Sequence, residues 1–206
     1  MTKVKKNFFS FITIIIFLTL AVSSAVNRIH FGAFNTSNTT VKGEDNRNYL
    51  QKNDGIKIYG QTVTWKSGLI LKDQITIDDQ KFKIAEIRGY KSNGIYYGRL
   101  GKEYIKRFIQ GKINVYIRYS EVTTTSTDRN GNMRMRTYTR TDHYAQKGTD
   151  GEMINIPDQY VIAKLVKDCP LAYNMINVSD SKIRAAIKQN GNFLNRIFEI
   201  YNNDCK

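Results

Sequence analysis

Apolar and polar residues follow one another along this chain in three different rhythms. From Phe8 to Val22 (FFSFITIIIFLTLAV) apolar character runs on without a charge. From Gly55 to Leu100 the period is two. Ile75 and Ile77 flank Thr76, and Phe82 and Ile84 alternate with Lys81 and Lys83, so the apolar side chains fall on one side of an extended backbone. Gly60, Ser67-Gly68, Asp78-Asp79, Gly89 and Ser92-Asn93-Gly94 punctuate this stretch. Short strands separated by such turn residues predict a small antiparallel barrel or roll. Asn93-Gly94 predicts a tight hairpin, because both residues tolerate positive φ.

Residues 112–146 predict one long hairpin. KINVYIRYSEVTTTST runs up, Asp128-Arg129-Asn130-Gly131-Asn132 turns, and MRMRTYTRTDHYAQ runs back. In the first arm Ile113, Val115, Ile117 and Tyr119 share a face. In the second, Met133, Met135, Thr137, Thr139, Thr141 and His143 share one face, and Arg134, Arg136, Tyr138, Arg140, Asp142 and Tyr144 the other. Both arms turn polar and Thr-rich toward the tip, which predicts a tip that projects beyond the core. Just before the hairpin, KEYIKRFI (102–109) fits a single helical turn or an edge strand equally well.

Beyond Asp150 the rhythm lengthens to that of helices. Pro157 suits a helix start, and Val161, Ile162, Leu165 and Val166 then form a stripe that Pro170 interrupts. Ser179 suits the N-cap of a helix holding Ile183, Ala186 and Ile187, and Asn190-Gly191 ends it. Phe193, Leu194, Ile197, Phe198 and Tyr201 mark a third amphipathic helix. One-sided helices must cover something, and the β part is the available neighbour. The expected fold class is α+β: an antiparallel β-rich barrel or roll with a long β-hairpin, followed by a C-terminal cap of short helices. The expected organisation is a signal peptide at 1–25, a loose leader at 26–54, a β-rich unit at 55–150 and a helical cap at 151–206, the last two forming one domain.

Composition changes this picture mainly at the front. Lys3, Lys5 and Lys6 precede the apolar run, and Ser23, Ser24 and Ala25 follow it. A positive head, an apolar core and a small-x-small exit are the parts of a secretory signal, cleaved here near Ala25. The competing reading is a retained anchor, but a spanning helix needs about 20 apolar residues. Export places the protein in the periplasm, in the outer envelope or outside the cell. In such a compartment Cys169 and Cys205 are expected to form a disulfide. Residues 26–54 are polar and predict little burial.

The full chain carries a formal charge of +14. Residues 1–25 hold three lysines and no acid, so the remainder keeps 29 basic against 18 acidic residues, a formal +11. A chain of this sign is drawn to anionic partners: an acidic glycan, lipid headgroups, nucleic acid or an acidic protein. Export weights the choice toward envelope components, and no specific nucleic acid is expected.

Candidate chemistry is sparse. His30 and His143 are the only histidines, and no His/Cys/Asp/Glu cluster has metal-ligand spacing, so no metal or cofactor is expected. Asp142 and His143 point to opposite faces of a strand and cannot form a dyad. No Gly-x-Ser-x-Gly elbow or phosphate-binding Gly-Lys-Ser/Thr loop occurs. A hydrolase built from scattered acids ranks third among the functional readings. The stronger candidate is a binding strip of Arg134, Arg136, Tyr138 and Arg140, whose guanidinium forks suit phosphate, sulfate or carboxylate. The alternative is that these charges only guard a solvated strand against edge-to-edge pairing. A second basic–aromatic set, Arg88, Tyr90, Lys91, Tyr96, Tyr97 and Arg99, surrounds the Asn93-Gly94 turn, with ordinary cross-strand packing as its alternative.

Residues 54–100 carry a resemblance. Asp54-Gly55 leading to Gly60, then Ile87-Arg88-Gly89-Tyr90, then Tyr96-Tyr97 resemble a module of exported, uncharacterised proteins of Bacteroidetes-type bacteria. The resemblance implies export and a small β-rich fold. It brings no activity and no catalytic residues. The sequence therefore supports an exported, non-enzymatic envelope or secreted protein with a structural or binding role, with polyanion capture as the alternative.

Overall fold

The structure, a computed structural model, describes residues 47–66 and 73–205. The apolar run, the Ser23–Ala25 exit, most of the leader and the Ser67-Gly68 turn lie outside them.

Eleven strands come first: β1 (Asn48–Lys52), β2 (Lys57–Gly60), β3 (Val63–Lys66), β4 (Gln74–Ile77), β5 (Gln80–Lys83), β6 (Ile87–Ser92), β7 (Ile95–Leu100), β8 (Glu103–Ile109), β9 (Ile113–Thr127), β10 (Met133–Lys147) and β11 (Met153–Asn155). Four helices follow: α1 (Gln159–Leu165), α2 (Pro170–Ile176), α3 (Asp180–Gln189) and α4 (Phe193–Asp204). Eight strands form one antiparallel sheet in the order β11-β10-β9-β8-β7-β6-β1-β2, and β3-β4-β5 form a second. The fold is α+β as expected, but neither sheet closes into a barrel. The large sheet ends at β2 on one side and at the three-residue β11 on the other.

Cross-strand register gives the large sheet two distinct faces. Ile58, Leu50, Tyr90, Tyr97, Lys106, Ile117 and His143 line up across the strands on one of them. This cap face is covered twice. At the β8–β10 end Ile113, Val115 and Ala145 pack with Ile162, Ile183, Leu194 and Phe198 of the helices. At the β1–β6 end Leu50, Ile87 and Tyr90 pack with Ile75 and Ile77 of the small sheet. The opposite face carries Tyr59, Tyr49, Lys91, Tyr96, Tyr116 and Tyr144, and is called the tyrosine face below.

Four expectations are corrected. Residues 48–52, read as part of the loose leader, form β1, with Tyr49 and Leu50 buried between neighbours on both sides. Residues 103–109 are a strand, but an interior one, because β8 pairs with β7 and β9. Pro157 lies before α1 rather than within it. Asp158 caps that helix by accepting from the backbone N–H of Tyr160 and Val161 at 3.0 and 3.1 Å. Pro170 opens a helix that the sequence reading lacked, with Cys169 at its N-cap.

The turn chemistry holds. Asn93 and Gly94 both take positive φ, +52° and +78°. Cys169 and Cys205 are joined as a disulfide with Cα atoms 5.6 Å apart, which ties the end of α4 to the start of α2. No helix among the described residues is long and apolar enough to cross a membrane.

Candidate functional site

β9 and β10 pair along their whole length, from Ile113↔Lys147 at the root to Thr127↔Met133 at the tip. β8 stops pairing with β9 at Ile117, and β11 pairs with β10 only from Tyr144 to Gln146. Residues 119–127 and 133–141 therefore form a two-stranded arm, unpaired on both edges and with no fully buried residue. At about 3.3 Å per residue it projects roughly 30 Å.

The tip is locked by its own acid. The Asp128 carboxylate accepts from the backbone N–H of Asn130 and Asn132 at 2.9 and 3.0 Å, and Gly131 takes φ +81° to close the turn. Those donations, Asn132 first, hold the Asp128 carboxyl below the usual carboxylate range.

The structure brings the first predicted set together. Arg134, Arg136, Tyr138 and Arg140 share the arm surface that continues the tyrosine face, opposite Ser126, Thr124, Val122 and Ser120. Arg134 lies 3.5 Å from Asp128, and the Nε of Arg140 donates to Asp142 at 2.7 Å. Both arginines remain largely in solvent, so these pairs are weak. Arg136 forms no ion pair among the described residues, and its cross-strand neighbour is a threonine. At the root Arg118 adds a fifth member that the sequence reading passed over. It bridges both oxygens of Glu103 at 2.9 and 3.1 Å. Its position on the same face follows from its pairing with Asp142, which the hairpin register would have supplied.

The second predicted set is split by the sheet. Tyr90 and Tyr97 stack on the cap face, with centroids 4.8 Å apart and planes 14° from parallel. Tyr104 meets Tyr90 edge-on at 5.1 Å. Burial pushes the Tyr90 hydroxyl up to about 12. These two tyrosines are core. Tyr96 lies on the tyrosine face, under the Arg107 guanidinium at 4.4 Å, and donates to Gln51 at 3.0 Å.

Arg88 and Arg99 meet Tyr96 again at the rim of a cavity of about 520 Å³, shared with Tyr116, Gln146 and Met153. Arg88 is spent on structure there. Its Nε donates to the Lys52 carbonyl at 3.0 Å, Nη2 to the Asn53 carbonyl at 2.8 Å, and Nη1 to the Thr149 carbonyl at 3.1 Å and to Asp150. It stitches the β1–β2 turn and the loop after β10 onto β6. Arg99 reaches the Ala85 carbonyl at 3.2 Å and the Asn53 side chain at 3.4 Å. Gln146 accepts from the Tyr116 hydroxyl at 2.8 Å and donates to the Gly151 carbonyl at 2.8 Å. The walls of the cavity mostly satisfy one another.

The sequence reading also missed a row of cation–π contacts on the tyrosine face. Arg47 lies 4.0 Å above Tyr59 and Lys57 4.5 Å above Tyr49. Alternating Lys/Arg and Tyr in β1 and β2 was the available signal, hidden because β1 was assigned to the leader.

His143 is buried on the cap face, opposite Ile117. Burial brings its imidazole down to about 4, against the pull of Asp142. Asp142 faces the other side of the sheet and pairs with Arg140, so the two neighbours form no dyad. Cys169 is committed to its bridge. Among the described residues no three or more His, Cys, Asp or Glu side chains converge as a metal site would require. No family model, curated protein or solved structure matches the chain.

Proposed function

We propose that this is an exported, non-enzymatic protein of the cell envelope or its exterior. Its working part is the arm, which engages an anionic surface or polymer through Arg134, Arg136, Arg140 and Tyr138. One observation carries the reading: three arginines and a tyrosine lie on one surface of a ribbon that leaves the core and holds no fully buried residue. Guarding an edge needs a charge or two on a short strand, whereas these charges line about 20 Å of an arm that supports no core. The tyrosine ring in their midst adds a face for a sugar or a headgroup. The cavity walls, which mostly bond to one another, favour binding over catalysis.

The test is retention on immobilised heparin across a salt gradient. The unmodified protein should be held and released steeply with salt. Replacing Arg134, Arg136 and Arg140 together by serine should move release to markedly lower salt. Unchanged release in that variant would sink the proposal.

A further inference from the structure

The arm has a second side. Met133 and Met135 are 74% and 73% exposed, and Tyr119 is 56% exposed. Tyr119 pairs with Thr141 and so shares their surface, which continues the cap face beyond Ile117 and His143. Two methionines this exposed on one face, two residues apart at the tip, form an apolar patch suited to an apolar partner. The arginines project from the opposite side of the same ribbon. A flat protein surface or a polyanionic chain lying on the arm would use one side and leave the other in water. One environment meets both sides at once: the boundary of a lipid bilayer, where a phosphate layer lies directly over acyl chains.

Building on the anion-binding reading, we infer that the arm lies in the surface of an anionic bilayer. Met133 and Met135, at the leading end, face the acyl chains, and Tyr119, beside Glu121 on the same side nearer the root, stays at headgroup level. Arg134, Arg136 and Arg140 reach up to the lipid phosphates, their aliphatic stems spanning the boundary. Thr123, Thr125, Thr137 and Thr139 extend the lower surface with small side chains, and Glu121, opposite Thr139, marks where that surface returns to the headgroup layer. Thr123 and Thr137 hydroxyls pair with each other at 3.0 Å, which lessens the cost of leaving water. The self-bonded turn at Asp128 fixes the leading end.

The experiment uses the full chain with vesicles of phosphatidylcholine alone or mixed with anionic phosphatidylglycerol. Sedimentation reads binding. Hydrogen peroxide followed by peptide mass reads sulfoxide formation at each methionine. Because the second readout is local, it reports on the arm whatever the N-terminal apolar run contributes.

Anionic vesicles should slow oxidation of Met133 and Met135 several-fold. Met153 and Met175, which pack within the folded body, should keep their rates. Replacing the three arginines by serine should lower partition onto anionic vesicles by about tenfold to a hundredfold. Replacing Met133 and Met135 by threonine should lower it by about tenfold while leaving heparin retention intact. Arginine-dependent retention on heparin or duplex DNA, with Met133 and Met135 oxidised equally fast with and without anionic vesicles, would overturn the lipid inference and leave anion binding standing. Loss of arginine dependence on every anionic probe would remove both. All variants lie outside the core, and an unchanged melting temperature confirms that each has folded.

Discussion

The root and the arm of the β9–β10 hairpin are the same two strands in one unbroken register, yet their surroundings are opposite. At the root, Ile113 to Ile117 are buried on both faces: Ile113 and Val115 under the helices, Tyr116 in the tyrosine face. Past Arg118 every residue is exposed or only half covered until Asp142. Backbone pairing alone therefore does not decide what a strand contributes. The root carries stability because side chains on both faces leave water. The arm is held straight by its ladder and is free to meet something else.

The comparison can be broken first at the core. Ile113→Ala empties a fully buried position and should cost about 2–5 kcal/mol of unfolding free energy. Val122→Ala on the arm should cost less than about 0.5 kcal/mol. Denaturant titration reads both, and equal losses would mean that the arm is part of the core.

A second difference is in pH. His143 belongs to the root, and its folded pKa of about 4 lies below its ordinary 6.5. The unfolded state binds the proton more readily, so this stability is present above about pH 6.5 and is lost as pH falls toward 4. The loss should reach about 3 kcal/mol, since each pKa unit corresponds to about 1.4 kcal/mol. His143→Gln should flatten that part of the pH profile. Arm variants should leave it unchanged.

The smallest effect is the most telling. The triple replacement of Arg134, Arg136 and Arg140 by serine should shift stability by no more than about 0.5 kcal/mol, while it should remove most of the proposed anion retention. A large loss of stability would place the arginines among the residues that hold the fold.

Much of this was legible in the sequence, for local reasons. The hairpin, its Asp128–Asn132 turn and the Asn93-Gly94 turn rest on alternation and φ preference, which neighbouring residues carry by themselves. The cysteine pairing followed from there being only two candidates. What escaped was non-local. Asn48–Lys52 reads as polar leader and becomes a strand only because β2 and β6 flank it. In β8 apolar residues at 104, 105, 108 and 109 imitate a helix, because both faces of an interior strand are covered and a bulge shifts its register. Openness of the sheet depends on how its two edges end, which no local pattern encodes. The basic–aromatic set around Asn93-Gly94 looked like one patch in sequence, but adjacent strand residues point apart. Tyr96 and Tyr97 therefore serve opposite faces, and Arg88 is consumed by four backbone and side-chain acceptors.

The bridge between Cys169 and Cys205 makes a covalent ring of the last three helices. A protease that cuts the exposed Asn190–Gly191 turn would sever the backbone without releasing a fragment. The nicked molecule would weigh one water more, run as a single species, and come apart only when a reductant is added.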